Sequence, residues 1–445
     1  MYYATKSSRQ RTGTGNAHAN RGAAGLSPKE ELIPQWHGKS FAETIMMCFL
    51  FAHGRVPIAL GRWRVFFILA AALAAVSQPA FAKTNYLSGV DQVTVAAAAL
   101  LASDGDVFVF PAGTASYATP VTFSKAVTLQ GTPGQTTIVN SSGNRYGFAF
   151  MIAANAGSKP IRITGLNFNG NQTSGGINIA GGQKNVRIDH CVFVNCSARA
   201  VQWQGTQAYG VMDHCSFTNC EIANSAFGGF NSSWSTTEGP YYGIGTTNGV
   251  YVEDCTVIYN SAGTWLNGMG MPFENGQGGR ICLRHSVVND TLQQAVEFWD
   301  SHGNNGWIAN GFAGTVWTVV ENNNVYIQQN YLHMYIRGGC FIMISNTINS
   351  ASSAPAVGLT EEEGWSASFS PLSTTWPGQE QITNSWFVNN TCNGSTVRPI
   401  LWNAADSIFI QQGRDYFVSS TLPPPSGFNN PGIPGGWYGD RKSVV

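Results

Sequence analysis

The pattern Asp-His-Cys-x-Phe-x-Asn-Cys occurs at Asp189–Cys196 and again at Asp213–Cys220, an offset of 24 residues. Degraded copies follow at Val250–Asn260, Ile281–Asn289, Val325–Leu332 and Ile342–Ile348, with Ile161–Phe168 before them and Gln381–Phe387 after. Each copy reads as a short alternating strand, two turn residues and a second short alternating strand. Alternation with period two excludes a helical bundle. A sandwich would show hairpin dipeptides without a fixed turn chemistry returning at rung intervals. A coil of parallel strands accounts for both features, because each turn of the coil sets a residue about 4.8 Å above its counterpart. The sequence therefore predicts an all-β, single-stranded right-handed parallel β-helix, a solenoid from about residue 88 to about residue 415.

Stacking the copies puts Gly165, His190, His214, Asp254, His285, Gln329, Asn346 and Asn384 in one column at a tight turn. Such positions favour Asn and Asp, which tolerate left-handed dihedrals. His190, His214 and His285 accordingly read as a structural ladder before they read as a metal or catalytic cluster. Cys191, Cys215 and Cys255 fall in a second column, and Cys196 and Cys220 in a third. Neighbouring coils bring such pairs within disulfide reach, so Cys191–Cys215 or Cys196–Cys220 bonds and stacked free thiols are both open. Zinc spacing of the C-x-x-C kind is missing from the sequence, and no metal site is assigned.

Charged residues make up 11% of the 445, against about 25% in ordinary soluble domains, and Gly accounts for 51. Nine of the 24 Lys and Arg and three of the 24 Asp and Glu precede Lys83, so residues 83–445 carry a formal charge of −6. A nucleic-acid partner would call for a basic stripe that this chain lacks. Residues 62–82 combine Arg62 and Arg64, an apolar run from Val65 to Val76 and Ala80-Phe81-Ala82, the anatomy of a secretory signal peptide. About a dozen apolar residues are too few to span a bilayer. The expected organisation is a non-native or disordered extension at 1–61, a signal peptide at 62–82, the β-helix at 83–420 and a Pro/Gly-rich tail at 421–445. The stretch Val93–Ala102 is expected to form a short helix capping the open coil. The expected product is a secreted or periplasmic bacterial monomer, off the membrane once the signal is cleaved.

Coil length exposes the insertions: 40 residues separate His214 from Asp254, 31 separate Asp254 from His285, and 44 separate His285 from Gln329. The excess must loop out, and insertions in repeat proteins tend to fall on one, often binding, face. Aromatics in or beside these loops suit stacking on sugar rings, and Trp234, Tyr242, Trp265, Trp299 and Trp307 are the candidate substrate contacts. Glu297, Asp300 and His302 bring two carboxylates and an imidazole within six residues, a set suited to acid–base work. Glycosidases need two carboxylates about 5–10 Å apart. Along a strand Glu297 and Asp300 point to opposite faces, so one of them needs a partner from another coil, such as Glu274, Asp254 or Glu321. Arg337, followed by Gly338 and Gly339, suits pairing with a uronate carboxylate or serving as the base of a β-elimination, or equally a salt bridge to Glu297 or Asp300. Glu361-Glu362-Glu363 reads as a solvated loop tip with some capacity for calcium, the one cofactor considered.

The repeats resemble the pectate-lyase-like superfamily of right-handed β-helices, which holds polysaccharide lyases, polygalacturonases, and non-catalytic adhesins and tailspikes. Within it the chain is similar to secreted bacterial β-helix proteins of unassigned activity that carry a His-Gly pair, an Arg-Gly-Gly rung and a late Arg-Asp-Tyr. Here these are His302-Gly303, Arg337-Gly338-Gly339 and Arg414-Asp415-Tyr416. The polygalacturonase signature is missing, as is the calcium-binding aspartate cluster of pectate lyases. The resemblance implies a polysaccharide partner. The function expected is a polysaccharide lyase, with Arg337 and His302 as carboxylate neutraliser and proton shuttle and Glu297 and Asp300 beside them. A non-catalytic glycan-binding module and a polygalacturonase-like hydrolase are the two alternatives.

Overall fold

The computed structural model describes residues 82–144, 147–196, 199–205, 207–224, 244–260, 273–276, 279–291, 298–301, 317–328, 332–353, 355–361 and 381–420. The proposed extension, the signal peptide up to Phe81 and the tail from residue 421 lie outside these residues. Among those described, no helix is long and apolar enough to cross a membrane.

The strands sort into three sheets, here A, B and C, and each coil gives one strand to each in turn. Sheet A holds twelve strands, sheet B eleven and sheet C ten among the described residues, and every neighbouring pair is parallel except the last of sheet B. This is the parallel β-helix read from the repeat. Helix α1 (Gln92–Leu100) caps the first coil, with Asp91 accepting a hydrogen bond from the Thr94 amide at 2.9 Å and Val95 and Ala99 buried. It stands where the sequence placed it.

Residues pointing inward repeat from coil to coil, so like stacks on like. Phe168, Phe193 and Phe217 are buried with successive ring centroids 5.1 Å apart and nearly parallel planes. Burying one such ring in place of exposing it stabilises by about 2 kcal/mol, and ring-on-ring contact adds about 1 more.

The corner between sheets A and B is the most regular part of the coil. Two residues join the strands at each of eight consecutive corners, for example His190-Cys191 between Val186–Asp189 and Val192–Val194. The first corner residue is in the left-handed region throughout: Gly165, His190, His214, Asp254, His285, Asn322, Ser345 and Asn389 have φ between 50° and 66°. Its amide donates to the carbonyl ending the next coil's sheet A strand, as in His190 to Asp213 at 3.2 Å and Asn322 to Ile344 at 2.9 Å. His190 and His214 lie ring on ring at 5.1 Å, each with Nδ1 about 3 Å from the preceding aspartate. The histidine column is structural, as expected. Three of its expected members are corrected: Asn346 sits one place further on, Asn384 belongs to another turn, and Gln329 is outside the described residues. Their places are taken by Asn322, Ser345 and Asn389, because the strand register continues Glu321 to Ile344 to Val388.

The second corner residue is buried in every coil: Leu166, Cys191, Cys215, Cys255, Ser286, Asn323, Asn346 and Asn390. All the described cysteines are free thiols, which settles the alternative between disulfides and stacked thiols. Burial pushes the Cys191 and Cys215 thiols well above their ordinary range, so they are inert fillers. From Ser286 onward the column becomes a polar ladder. Asn323 Oδ1 accepts from the Ser286 amide, Asn346 Oδ1 from the Asn323 amide and Asn390 Oδ1 from the Asn346 amide, each at 2.9 Å. Asn346 Nδ2 also donates to the Val320 carbonyl at 2.7 Å.

Replacing Asn346 by Ala orphans a buried amide and a buried carbonyl. Urea denaturation should show a loss of roughly 3 kcal/mol, at about 1–3 kcal/mol per unsatisfied group. His190→Asn, at an exposed corner that Asn tolerates, should cost under about 1 kcal/mol. Equal losses at the two sites would contradict the assignment of the ladder as the corner's anchor.

Candidate functional site: the outer face of sheet C

The lengths of the connections single out one face of the coil. The A-to-B corner holds two residues in the eight coils from Ile161 onward and no more than five in the two described before them, whereas the long connections all border sheet C. They run from Ile222–Asn224 to Val250–Glu253, from Thr256–Tyr259 to Phe273–Asn275, from Trp299–Ser301 to Trp317–Glu321 and from Val357–Leu359 to Ser385–Val388. Insertions that share one side of a solenoid frame its binding surface.

One column of sheet C is in register from coil to coil: Thr122, Met151, Asn178, Gln202, Ala223, Glu274, Asp300, Tyr335, Gly358 and Ile400. Strand alternation turns Asn178, Gln202, Glu274 and Asp300 away from the core residues beside them, such as Ile177, Ile179, Phe273 and Trp299. Five residues of the column carry polar groups in an unbroken run apart from Ala223. Glu274 and Asp300 are direct partners on adjacent coils, so their backbones lie about 4.8 Å apart and their carboxylates share one face. The carboxylate partner that Asp300 needed is thus Glu274. Asp254 stands at the A-to-B corner and Glu321 on sheet A, away from this face.

Two arginines hold these carboxylates. Arg337 leaves the strand Met334–Ile336 one coil beyond Asp300 and grips it in a two-pronged ion pair, Nε to Oδ1 at 2.9 Å and Nη2 to Oδ2. Its guanidinium also lies 5.2 Å from the centre of the Tyr335 ring. Arg337 and Asp300 are both buried. The salt bridge, one of the two roles open to Arg337, is therefore formed, and its partner is Asp300. Arg199 reaches Glu274 at 3.0 Å and Glu221 at 3.5 Å. These five groups sum to a formal charge of −1.

Trp299 is corrected. Its neighbour Asp300 points outward, so Trp299 points inward, where it is fully buried, stacked on Phe273 at 5.0 Å and donating to Ser301 Oγ at 2.9 Å. It is a core residue and cannot stack on a sugar. Glu361 is corrected as well: it is buried and accepts from the Ile382 amide at 3.1 Å, so it is not part of a solvated loop tip. Among the described residues, no group of three or more His, Cys, Asp or Glu could hold a metal ion. Glu297, His302, Trp234, Tyr242, Trp265 and Trp307 lie outside the described residues, as do Glu362 and Glu363. His333 is no substitute for His302, since burial alone holds its imidazole down at about 4. Arg414 and Asp415 pair at 2.7 Å, and Asp415 caps the Gln411 amide, so this late motif closes the last coil.

Sequence reasoning missed three features of this face. Arg199 carries no local motif. Trp402, which follows the last sheet C strand Ile400–Leu401, is 36% exposed and meets Tyr335 edge to face at 6.2 Å, an aromatic platform at the far end. At the near end a cleft of about 520 Å³ opens over Asn178 and Gln202.

No family model matches the chain, and no curated protein is similar to it in sequence. Among solved structures it is similar to an alginate lyase from Paenibacillus sp. str. FPU-7, at 13% identity over 71% of this chain and 97% of that one, with a TM-score of 0.46. It is also similar to the catalytic domain of a GH87 α-1,3-glucanase in complex with nigerose, at 12% identity over 79% and 70% of the two chains, TM-score 0.38. A third is a tailspike of the Acinetobacter baumannii bacteriophage Fri1, a capsular polysaccharide depolymerase, at 11% identity over 74% and 64%, TM-score 0.36. These likenesses add nothing to the coil architecture that the strand ladders establish.

Removing Arg337 leaves Asp300 buried without its ion partner, which costs about 3–5 kcal/mol. Arg337→Ala should therefore melt well below the parent protein, and Arg337→Lys should recover little, because an ammonium cannot make the two-pronged contact. A Lys variant with the parent's melting temperature would contradict this reading of the pair.

Proposed function

We propose that this protein is a secreted glycan-cleaving enzyme whose substrate lies along the outer face of sheet C, and that it hydrolyses the glycosidic bond between Glu274 and Asp300. The single observation that carries the reading is that pair: two carboxylates in register on adjacent coils, on the face that all the long connections border. Hydrolysis needs one carboxylate to protonate the leaving oxygen and another to act as nucleophile or base. Asp300, fixed in a two-pronged contact with Arg337, is suited to the charged role. Glu274, part-exposed and 3.0 Å from Arg199, is suited to deliver the proton.

The expected β-elimination asks more of Arg337 than its contacts allow. A base must have a free lone pair, and a guanidinium donating to a buried carboxylate has none to offer. Its two prongs are also committed to Asp300 and are not open to neutralise a uronate. A role for Glu297 and His302 beside Asp300 is compatible with either chemistry and remains part of the proposal.

The purified protein should release new reducing ends from a panel of neutral and acidic polysaccharides without generating the ultraviolet absorbance of unsaturated uronides. Asp300→Asn and Glu274→Gln should each lower kcat by at least about 100-fold, the scale of a lost acid or base. Unsaturated product would turn the reading to a lyase. Retention on glycans with no product from any of them would turn it to a binding module.

A further inference from the structure

The cleft at the near end of this face has a chemistry of its own, and it bears on the class of sugar the protein accepts. Its volume of about 520 Å³ falls within the range of ligand pockets, and Asn178, Gln202 and Gln204 line it from two consecutive coils, with Phe148 and Met151 as its apolar wall. Carboxamides each offer donors and an acceptor without charge, which matches sugar hydroxyls.

Asn178 is 5% exposed, and its Nδ2 donates to Gln204 Oε1 at 3.0 Å. Its Oδ1 is buried without a hydrogen-bond partner. A buried acceptor left open costs about 1–3 kcal/mol, and only a group carrying a hydrogen can satisfy it. A sugar hydroxyl can, whereas a carboxylate, which only accepts, cannot, so the acceptor requires that a hydroxyl and not a carboxylate face it, and the neighbouring charges bear on which class of sugar unit does so. Among the described residues the one guanidinium lining the cleft is Arg199, which faces Glu274 at 3.0 Å and Glu221 at 3.5 Å, so the three groups carry no net positive charge whether or not Glu274 holds its proton. A uronate carboxylate would find no net positive charge there to offset its desolvation, which discriminates against it.

We propose that this cleft is a subsite for an uncharged, hydroxyl-rich hexose or pentose unit, and that the glycan is neutral at this position. The proposal rests on the reading of sheet C as the glycan face. Gln202 is two strand steps from Glu274, about 10 Å along the coil, and three from Asp300, about 14 Å, so its carboxamide contacts a sugar unit beside the reacting bond and not the bond itself.

The test is calorimetric titration of the Asp300→Asn protein with neutral gluco-, manno- and xylo-hexasaccharides and with hexauronides of galacturonate, mannuronate and guluronate. At least one neutral hexasaccharide should bind at least about 10-fold more tightly than any hexauronide. Asn178→Ala, with its melting temperature checked, should weaken that binding by about 10-fold, the worth of one hydrogen bond to a buried group. Gln202→Ala gives a second reading should the first variant melt early. In the active protein the same changes should raise KM and leave kcat within about threefold. Binding of hexauronides in preference to neutral sugars, indifference to both cleft substitutions, or no binding of either class would overturn the subsite. Neutral binding that Asn178→Ala weakens, with no cleavage of any glycan, would leave the subsite standing and sink the hydrolytic reading. Cleavage of a uronide with both cleft residues dispensable would do the reverse.

Discussion

The two-residue corner between sheets A and B is the constraint on which the rest of this molecule depends. A left-handed residue turns the chain, its amide ties down the end of the next coil's strand, and the buried residue after it locks the register. One slip of a residue would invert every side chain of the following strand, so a corner of fixed length protects the core through the eight coils that share it. The inner column changes from Leu and Cys to Ser and Asn as the coil proceeds, yet stays buried. Apolar packing fixes the corner in the first half and side-chain hydrogen bonds in the second.

Fixing one corner frees the others. Every long connection falls at an edge of sheet C, so variation in chain length is concentrated around one face without disturbing the register inside. That face is also where the outward column turns polar and where buried Arg337 meets buried Asp300 and buried Arg199 meets part-exposed Glu274. Charges of this kind are expensive to bury, and their pairing across coils, Arg337 with Asp300 and Arg199 with Glu274, is what makes the arrangement tenable. The same pairing underlies the proposed chemistry, since an arginine committed to a carboxylate neither takes up a proton nor seizes an acidic sugar.

The coil was legible in the sequence because its signals are local: period-two alternation, a recurring Asp-His-Cys, and aromatic residues at one offset. The capping helix and the histidine ladder followed from the same signals. The slip at Asn346 and Asn384 arose because Asn takes left-handed dihedrals at more than one corner, as Asn195 and Asn219 show, and so does not mark which corner it occupies. Trp299 was misjudged through its nearness to an insertion, although strand parity with the outward Asp300 would have turned it inward. Asn178 and Gln202 went unnoticed because carboxamides are common throughout this chain, and only the register between coils sets them beside one another.

The central claim is that a glycan lies along sheet C with its reacting bond at Glu274 and Asp300. A crystal structure of the Asp300→Asn protein soaked with a hexasaccharide that the parent protein cleaves tests it most directly. The expected result is a chain of sugar density on the outer face of sheet C, with a glycosidic oxygen within hydrogen-bond reach of the Glu274 carboxyl. Sugar density confined to the faces of sheets A or B, away from both carboxylates, would contradict it.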